Sequence, residues 1–330
     1  MTLGRVLCSL LLVSGLSGLV ACSSLNAGNA GNAESNLRAG ESKAVKRPAE
    51  IIELSSGQAL SLEALAARLA TYPIVLLGEL HDNSHHHKAR ARLIQALGQA
   101  RNNQPPYRLV VEQLPMGGSV RPQGKQPGQP LLEQLREAGF QDEAWAWPLH
   151  EPVFRAALSQ GMALYGGNLV RGQSMQLFKK GESTLPEKLQ GLLSRAPLAE
   201  PSLQALNKAL VDGHCGQLPE AMLEPMRLVQ RATDLALLVT ATDYTPAIVI
   251  AGNGHVRKDF GIPSLVPAFQ RPVRVVTVGF VESELSVDKA SINAAAGVRN
   301  DPAWAIYDYV WITPAAERED PCKGFQMPKR

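Results

Sequence analysis

The sequence predicts an α/β fold: a mostly parallel sheet flanked by helices, with a helical insertion or cap subdomain. Three observations carry this. Short apolar, partly β-branched runs recur at residues 74–77, 107–111 and 247–251, the signature of strands buried on both faces of a parallel sheet. Stretches with helical spacing, such as 62–69 and 85–97, alternate with them. Ionisable residues follow each strand: Glu79 and His81 the first, Glu112 the second, and His255 the third. In open α/β sheets ligands bind at that carboxyl edge, so these four are expected on one rim.

Taken in order, the chain begins with Arg5 and an apolar stretch over residues 7–20, too short to span a membrane comfortably. It runs into Leu19-Val20-Ala21-Cys22, which looks like a bacterial lipobox. Residues 1–21 are then a signal peptide, and Cys22 carries lipid after cleavage. No Asp follows the Cys, only Ser23 and Ser24, which points to the outer membrane, facing the periplasm. Residues 22–50, rich in Ala, Gly, Asn and Ser, form a flexible tether. Of the four cysteines, Cys8 leaves with the signal and Cys22 is lipidated. Cys215 and Cys322 can pair in an oxidising compartment, although their spacing does not decide it. No CxxC or CxxCH occurs, so neither a thioredoxin-like site nor covalent haem attachment is indicated.

The folded part, residues 51–330, opens with a strand or hairpin near Ile51 that turns at Ser55-Ser-Gly. Ser61 caps the first helix, and Asp82, Asn83 or Ser84 the second. The Gly-, Pro- and Gln-rich stretch 116–130 reads as a loop near the site. Helices over 131–138 and 153–159 precede a strand over 162–168, a β-α-β rhythm with right-handed crossovers. From 171 to 242 the pattern is helical with Pro and Gly punctuation, the insertion or cap. Strands resume at 247–251, 273–278 and 307–313, joined by helical material at 262–269 and a loop through 293–302.

A formal net charge of +3 excludes a strongly basic nucleic-acid surface. Lys88, Arg90 and Arg92 spread around one helix and read as a solvated face. Glu79, His81, Glu112 and His255 make a sensible shell for a divalent metal ion, and Glu or His can also act as a general base. The run His85-His86-His87 cannot ligate one ion, because consecutive helix positions point about 100° apart, and at least two of the three are expected on the surface. Trp145 and Trp147, with His150 behind them, suggest the edge of a core, and Met222 and Met226 helix-core positions. Asn253, between two glycines, supplies a turn and a polar side chain.

With these motifs in hand, the chain resembles the ChaN-like haem-binding uptake lipoproteins. The matching stretches are Leu76-Leu-Gly-Glu-Leu-His-Asp-Asn with His86; Val110-Val-Glu-Gln; His214-Cys-Gly with Pro219 and Met226; Ala251-Gly-Asn-Gly-His-Val-Arg; and Tyr307-Asp-Tyr-Val-Trp-Ile-Thr-Pro. The wider group, with Tiki-type and erythromycin-esterase-like proteins, shares Gly-Glu-x-His and a late His, which serve a hydrolytic or metal-dependent site in some members. The resemblance implies haem bound between the subunits of a homodimer, a role in haem uptake with possible contact to uptake machinery, and iron ligation by Tyr with a His contribution. His150 and Tyr165, with His81 and His255, are the candidate haem contacts. The alternative reading is a metal-dependent hydrolase whose catalytic residues are Glu79, His81, Glu112 and His255, and the third is a scaffold lipoprotein.

Overall fold

The computed structural model describes residues 50–101, 104–123, 128–283 and 305–325. The expected signal peptide, Cys22, all but the last tether residue, and the 293–302 loop lie outside the described residues. Among the described residues nine strands form one sheet: β1 (Glu50–Glu53), β2 (Gln58–Leu60), β3 (Ile74–Leu77), β4 (Arg108–Pro115), β5 (Ser119–Val120), β6 (Leu164–Asn168), β7 (Ala247–Ile250), β8 (Val275–Ser283) and β9 (Tyr309–Pro314). Their order is β2-β1-β9-β8-β3-β7-β4-β6-β5. The pairings from β9 through β6 are parallel, while β1, β2 and β5 add antiparallel edges. β3 sits between β7 and β8, with Leu77 opposite both Ile250 and Val278.

Every side chain of β3 and β7 is buried because helices cover both faces. Alternate residues point to opposite layers. Val75, Leu77, Leu109, Val111, Ile248 and Ile250 meet α1 (Leu62–Leu69), α2 (Ser84–Ala100), α3 (Leu131–Glu137) and α4 (Glu151–Ser159). Ile74, Leu76, Val110, Ala247 and Val249 meet α5 (Gln173–Lys180), α7 (Leu223–Asp243) and the 3-10 segment Ile262–Ala268. Between 171 and 242 the described chain is helical: α7 lies along the sheet, and α5, α6 (Glu200–Asp212) and short 3-10 turns surround it. Leu218, Met222 and Met226 close a small separate cluster beside α6, so both methionines are core residues.

Local chemistry sets the helix starts. Ser61 Oγ accepts the Ala64 amide at 3.1 Å. Asn83 is the cap of α2, its Oδ1 accepting the amides of His85 and His86 at 2.7 and 3.2 Å. Gly78, which ends β3, tolerates no side chain: a Cβ there would lie 2.1 Å from Asn253 Oδ1. That amide continues the sheet past β7, its Nδ2 donating to the Phe280 carbonyl at 2.6 Å and its Oδ1 accepting the Phe280 amide at 3.2 Å.

The fold corrects several expectations. The stretch 116–130 contains β5, antiparallel to β6 through Ser119 and Tyr165. β4 continues to Pro115 and takes Glu112 and Gln113 into the strand, with its register to β6 shifting after Val111. His86 and His87 are buried and only His85 of the three is exposed. Arg90 is fully buried rather than solvated, while Lys88 and Arg92 are exposed. The pairing that the spacing left open is made: Cys215 and Cys322 form a disulfide with Cα atoms 5.5 Å apart. Among the described residues no helix is long and apolar enough to cross a membrane.

Candidate functional site

The parallel strands end in one row, and three of them deliver polar side chains to it. Glu79 follows Gly78 and is buried, with His81 two residues on and half-buried. Glu112 and Gln113 lie at the end of β4, and Gly252 to His255 form the turn after β7. The turn is tied back to the row, because Gly252 donates its amide to Glu112 Oε2 at 2.8 Å and Asn253 donates its own to the Glu79 carbonyl at 2.8 Å. The rim therefore holds Glu79, His81, Glu112 and His255 together, divided into two adjoining groups.

The first group surrounds Glu79. His81 Nδ1 lies 2.8 Å from Glu79 Oε1, and Gln113 Nε2 donates to the same oxygen at 3.1 Å. His150 Nε2 stands 3.4 Å from it. On the other side Arg90 pairs with Glu79 Oε2. Arg90 Nη2 also donates to His87 Nδ1 at 2.8 Å, and His87 Nε2 donates to the His81 carbonyl at 2.9 Å. Burial holds the Arg90 guanidinium down to about 9, opposed by the charge of Glu112, so it is cationic at neutral pH. Burial pushes His87 and His150 each down to about 3, helped by neighbouring positive charge, so both are neutral. The contact of His87 Nδ1 with Glu79 Oε2 at 3.2 Å is then no ion pair. His150 Nδ1 donates to the Trp145 carbonyl at 3.0 Å, which leaves Nε2 as a lone pair aimed at a carboxylate oxygen. Two acceptors facing each other in a buried cluster suit a cation between them. Glu79, His81 and His150 each offer an atom within 4.8 Å of the others.

The second group is built on His255. Its Nδ1 lies 2.6 Å from Asp234 Oδ1 on α7, and its Nε2 lies 3.4 Å from Glu112 Oε1. The Gln230 side-chain amide, one turn before Asp234, stands 3.0 Å from Nδ1, whose proton is committed to Asp234. Burial alone would lower His255, but the charges of Glu112 and Asp234 outweigh it and hold the imidazole well above its ordinary value. Burial pushes Glu112 up, yet His255 and His81 outweigh that and bring it to about 2. Asp234 goes the other way: burial raises it to about 6 against the pull of His255. An imidazolium clamped between two carboxylates results.

His81 is the member that faces outward. With Nδ1 on Glu79, its Nε2 has no hydrogen-bond partner among the described residues, and its side chain is 38% exposed. A Cβ on residue 252 would lie 3.1 Å from that nitrogen, so glycine keeps the space in front of it open. Trp145 meets the ring edge-on, with centroids 5.3 Å apart. His150, in contrast, is buried at the floor of the rim, 1% exposed. Tyr165 stands elsewhere: its ring stacks on Tyr244 at 3.7 Å. Tyr244 follows α7 ten residues after Asp234, about 15 Å along the helix axis.

Arg90, His87, Gln113 and Asp234 complete the site, and the sequence assigns none of them a place in it: Arg90 reads as solvated and His87 as one of a largely exposed run. Two of them had a signal. Arg90 shares a face with Leu93, Ile94 and Leu97, and Asp234 is a lone acid within Ala232-Thr-Asp-Leu-Ala-Leu-Leu-Val.

A doubly covered, mostly parallel sheet with a Glu/His site at its carboxyl edge defines the class of protein. Residues 65–266, more than half the chain, match the family model described as haem-binding uptake, Tiki superfamily, ChaN, and the chain belongs to that family. Among solved structures it is similar to one described as cofacial heme binding to ChaN of Campylobacter jejuni, at 18% identity and a TM-score of 0.62, covering 80% of this chain and 96% of that one. A Bacillus cereus protein matches at 15% identity, with 68% and 70% of the two chains covered and a TM-score of 0.38. No curated protein matches the chain.

Proposed function

We propose that the chain is a haem-binding lipoprotein of the bacterial envelope that handles haem for iron uptake, with His81 as the residue offered to the iron. Family membership supplies the ligand class. The observation that carries the assignment to His81 is its geometry: Nδ1 is held by a buried carboxylate, and Nε2 stands partnerless at a half-open mouth that Gly252 keeps clear. A carboxylate on the far nitrogen fixes the tautomer and raises the basicity of the ligating one. His81 would hold the iron of a bound haem through Nε2, and the flat apolar face of the group would need cover from the residues around the mouth. Trp145 at the mouth offers such cover. His150 is buried beneath Glu79, and Tyr165 belongs to the other end of α7, so neither competes for this position.

Titration of the full chain with haemin, followed by absorbance and mass, tests the reading. A saturable Soret shift is expected, and the mass gives the number of haems and whether two copies share them. His81→Ala should weaken binding at least about tenfold, the worth of roughly 1.4 kcal/mol. Unchanged affinity and spectrum in that variant would move the ligand elsewhere.

A second reading, a metal-dependent hydrolase, is favoured by one observation: the lone pair of His150 facing Glu79, with His81 alongside. A divalent ion on these three residues would polarise a carbonyl or a bound water. Stoichiometric divalent metal after dialysis, together with no saturable haemin spectrum, would make this the leading reading.

Anchoring rests on Cys22. Cys22→Ala should release the protein from membrane fractions, because residues 22–50 carry little apolar surface. If the variant still sediments with membranes in high salt, the lipobox reading fails.

A further inference from the structure

We propose that residues 315–325 form a strap across the carboxyl edge of the sheet, latched by the Cys215–Cys322 disulfide, and that a dithiol reductant opens it to admit the ligand of the rim. The naming of that ligand as haem rests on the function proposed above; the gating does not.

The path of the chain carries the inference. β9 ends at Pro314 on the same edge as the rim, beside β8, which runs five residues past the row of Leu77 and Val278. There the chain is gripped from the α2 layer. Asn83 Nδ2 donates to the Pro314 carbonyl at 3.0 Å and to Glu282 Oε1 at 2.6 Å. Arg318 Nε pairs with Asp82 Oδ2 at 2.7 Å, and the same guanidinium pairs with Glu282. Asp82 and Asn83 follow directly on His81. Only four residues later Cys322 is bonded to Cys215, between α6 and α7, and Gln217 Nε2 donates to the Phe325 carbonyl at 2.9 Å. Those helices belong to the opposite layer. Four residues span at most about 14 Å, so the segment must pass from one layer to the other over the sheet edge. That edge is where His81 and His255 stand.

The latch is accessible. Cys322 is exposed and Cys215 half-buried. The remaining grip consists of the Arg318 ion pairs and a few hydrogen bonds, from Asn83, Ala316 and Gln217, on a largely exposed segment, where such contacts contribute little by themselves. Closing a loop of 107 residues is the stronger constraint, so loss of the disulfide is what frees the strap. A reductant thiolate attacks Cys322 Sγ and displaces Cys215 as a thiolate, which takes a proton. The second thiol of the reductant then attacks its own sulfur in the mixed disulfide and releases Cys322 as a thiol. Two electrons and two protons pass to the protein, and the reductant leaves as a disulfide.

The test follows carbethoxylation of histidines by diethyl pyrocarbonate in the full chain, oxidised and reduced, read by peptide mass. Reduction should speed modification of His81 several-fold while buried His87 and His150 stay unmodified, and reoxidation should restore protection. The double variant Cys215→Ser/Cys322→Ser should behave as the reduced protein without reductant, and haemin should associate faster with both. Unchanged His81 reactivity, with both thiols shown free by mass, overturns the strap. So does modification of His87 and His150 on reduction, because the domain would then be unfolding rather than opening. Equal haemin association rates in the two states overturn the gating of that ligand. If His81 is unmasked but haemin binds in neither state, the strap stands and the haem reading falls.

Discussion

Replacing Arg90 by Met is expected to cost about 3–5 kcal/mol of folding stability, the scale for removing one partner of a buried ion pair. Arg90 and Glu79 are both buried, and Arg90 is the cation in contact with Glu79 Oε2. Without it a carboxylate remains among neutral His87 and His150, with Gln113 and His81 as its remaining support. The double variant Glu79→Gln/Arg90→Met should recover much of the loss, because no uncompensated charge is then left inside. Equilibrium denaturation checks both. A loss under about 1 kcal/mol for the single variant, the scale of an exposed pair, would mean that the guanidinium is not committed to Glu79.

Replacing His255 by Gln is expected to remove the alkaline limb of the stability profile in chelator-treated protein. The folded imidazole titrates well above its ordinary value of 6.5, so between the two folding takes up a proton. Stability from this group is complete below about pH 6.5 and falls as pH rises through the folded value, at up to about 1.4 kcal/mol per pH unit. Glu112 acts on the acid side. Its folded value of about 2 lies below the ordinary 4.5, so its contribution is complete above 4.5 and is lost as pH falls toward 2. Asp234, raised from 3.8 to about 6, opposes it and costs stability as pH rises across that interval. Melting temperature should fall as pH rises above about 6.5 in the wild type, and this alkaline fall should be absent in the variant. An identical alkaline slope in both would show that His255 does not hold the extra proton.

The parts of the fold visible in the sequence were those that local physics decides. Ile74–Leu77 is apolar throughout because both faces are covered, and Gly78 stops it where Asn253 passes too close for a side chain. Asn83 and Ser61 are helix caps that any short polar residue before an apolar period announces. What stayed hidden depends on partners distant in sequence. Ser119–Val120 is a strand only because β6 offers its edge, and two residues carry no periodicity. Glu112 is a charged residue inside a strand, tolerated because His255 and the Gly252 amide meet it there. The four rim residues were visible as strand-end acids and imidazoles. Their division into a Glu79 group and a His255 group was not, since it is made by Arg90 and Asp234 from helices on opposite layers. Arg90 looked like one of three scattered basic residues, although its spacing to Leu93, Ile94 and Leu97 already placed it on the buried side.

The position of β3 also governs the order in which the chain can fold. Its two neighbours, β7 and β8, both lie beyond residue 246, and β1, paired locally with β2, joins the rest of the sheet only through β9 near residue 310. A chain emerging from its amino end therefore presents Ile74-Val-Leu-Leu long before any ladder partner exists. Contacts so far apart in sequence fold slowly, because loop closure must precede any gain from pairing. A nascent chain shorter than about residue 280 has no complete central sheet to close. Outside the β1–β2 hairpin and the β4–β6–β5 group, its apolar strands still await partners, the state in which a chaperone holds a chain or a narrow pore can thread it.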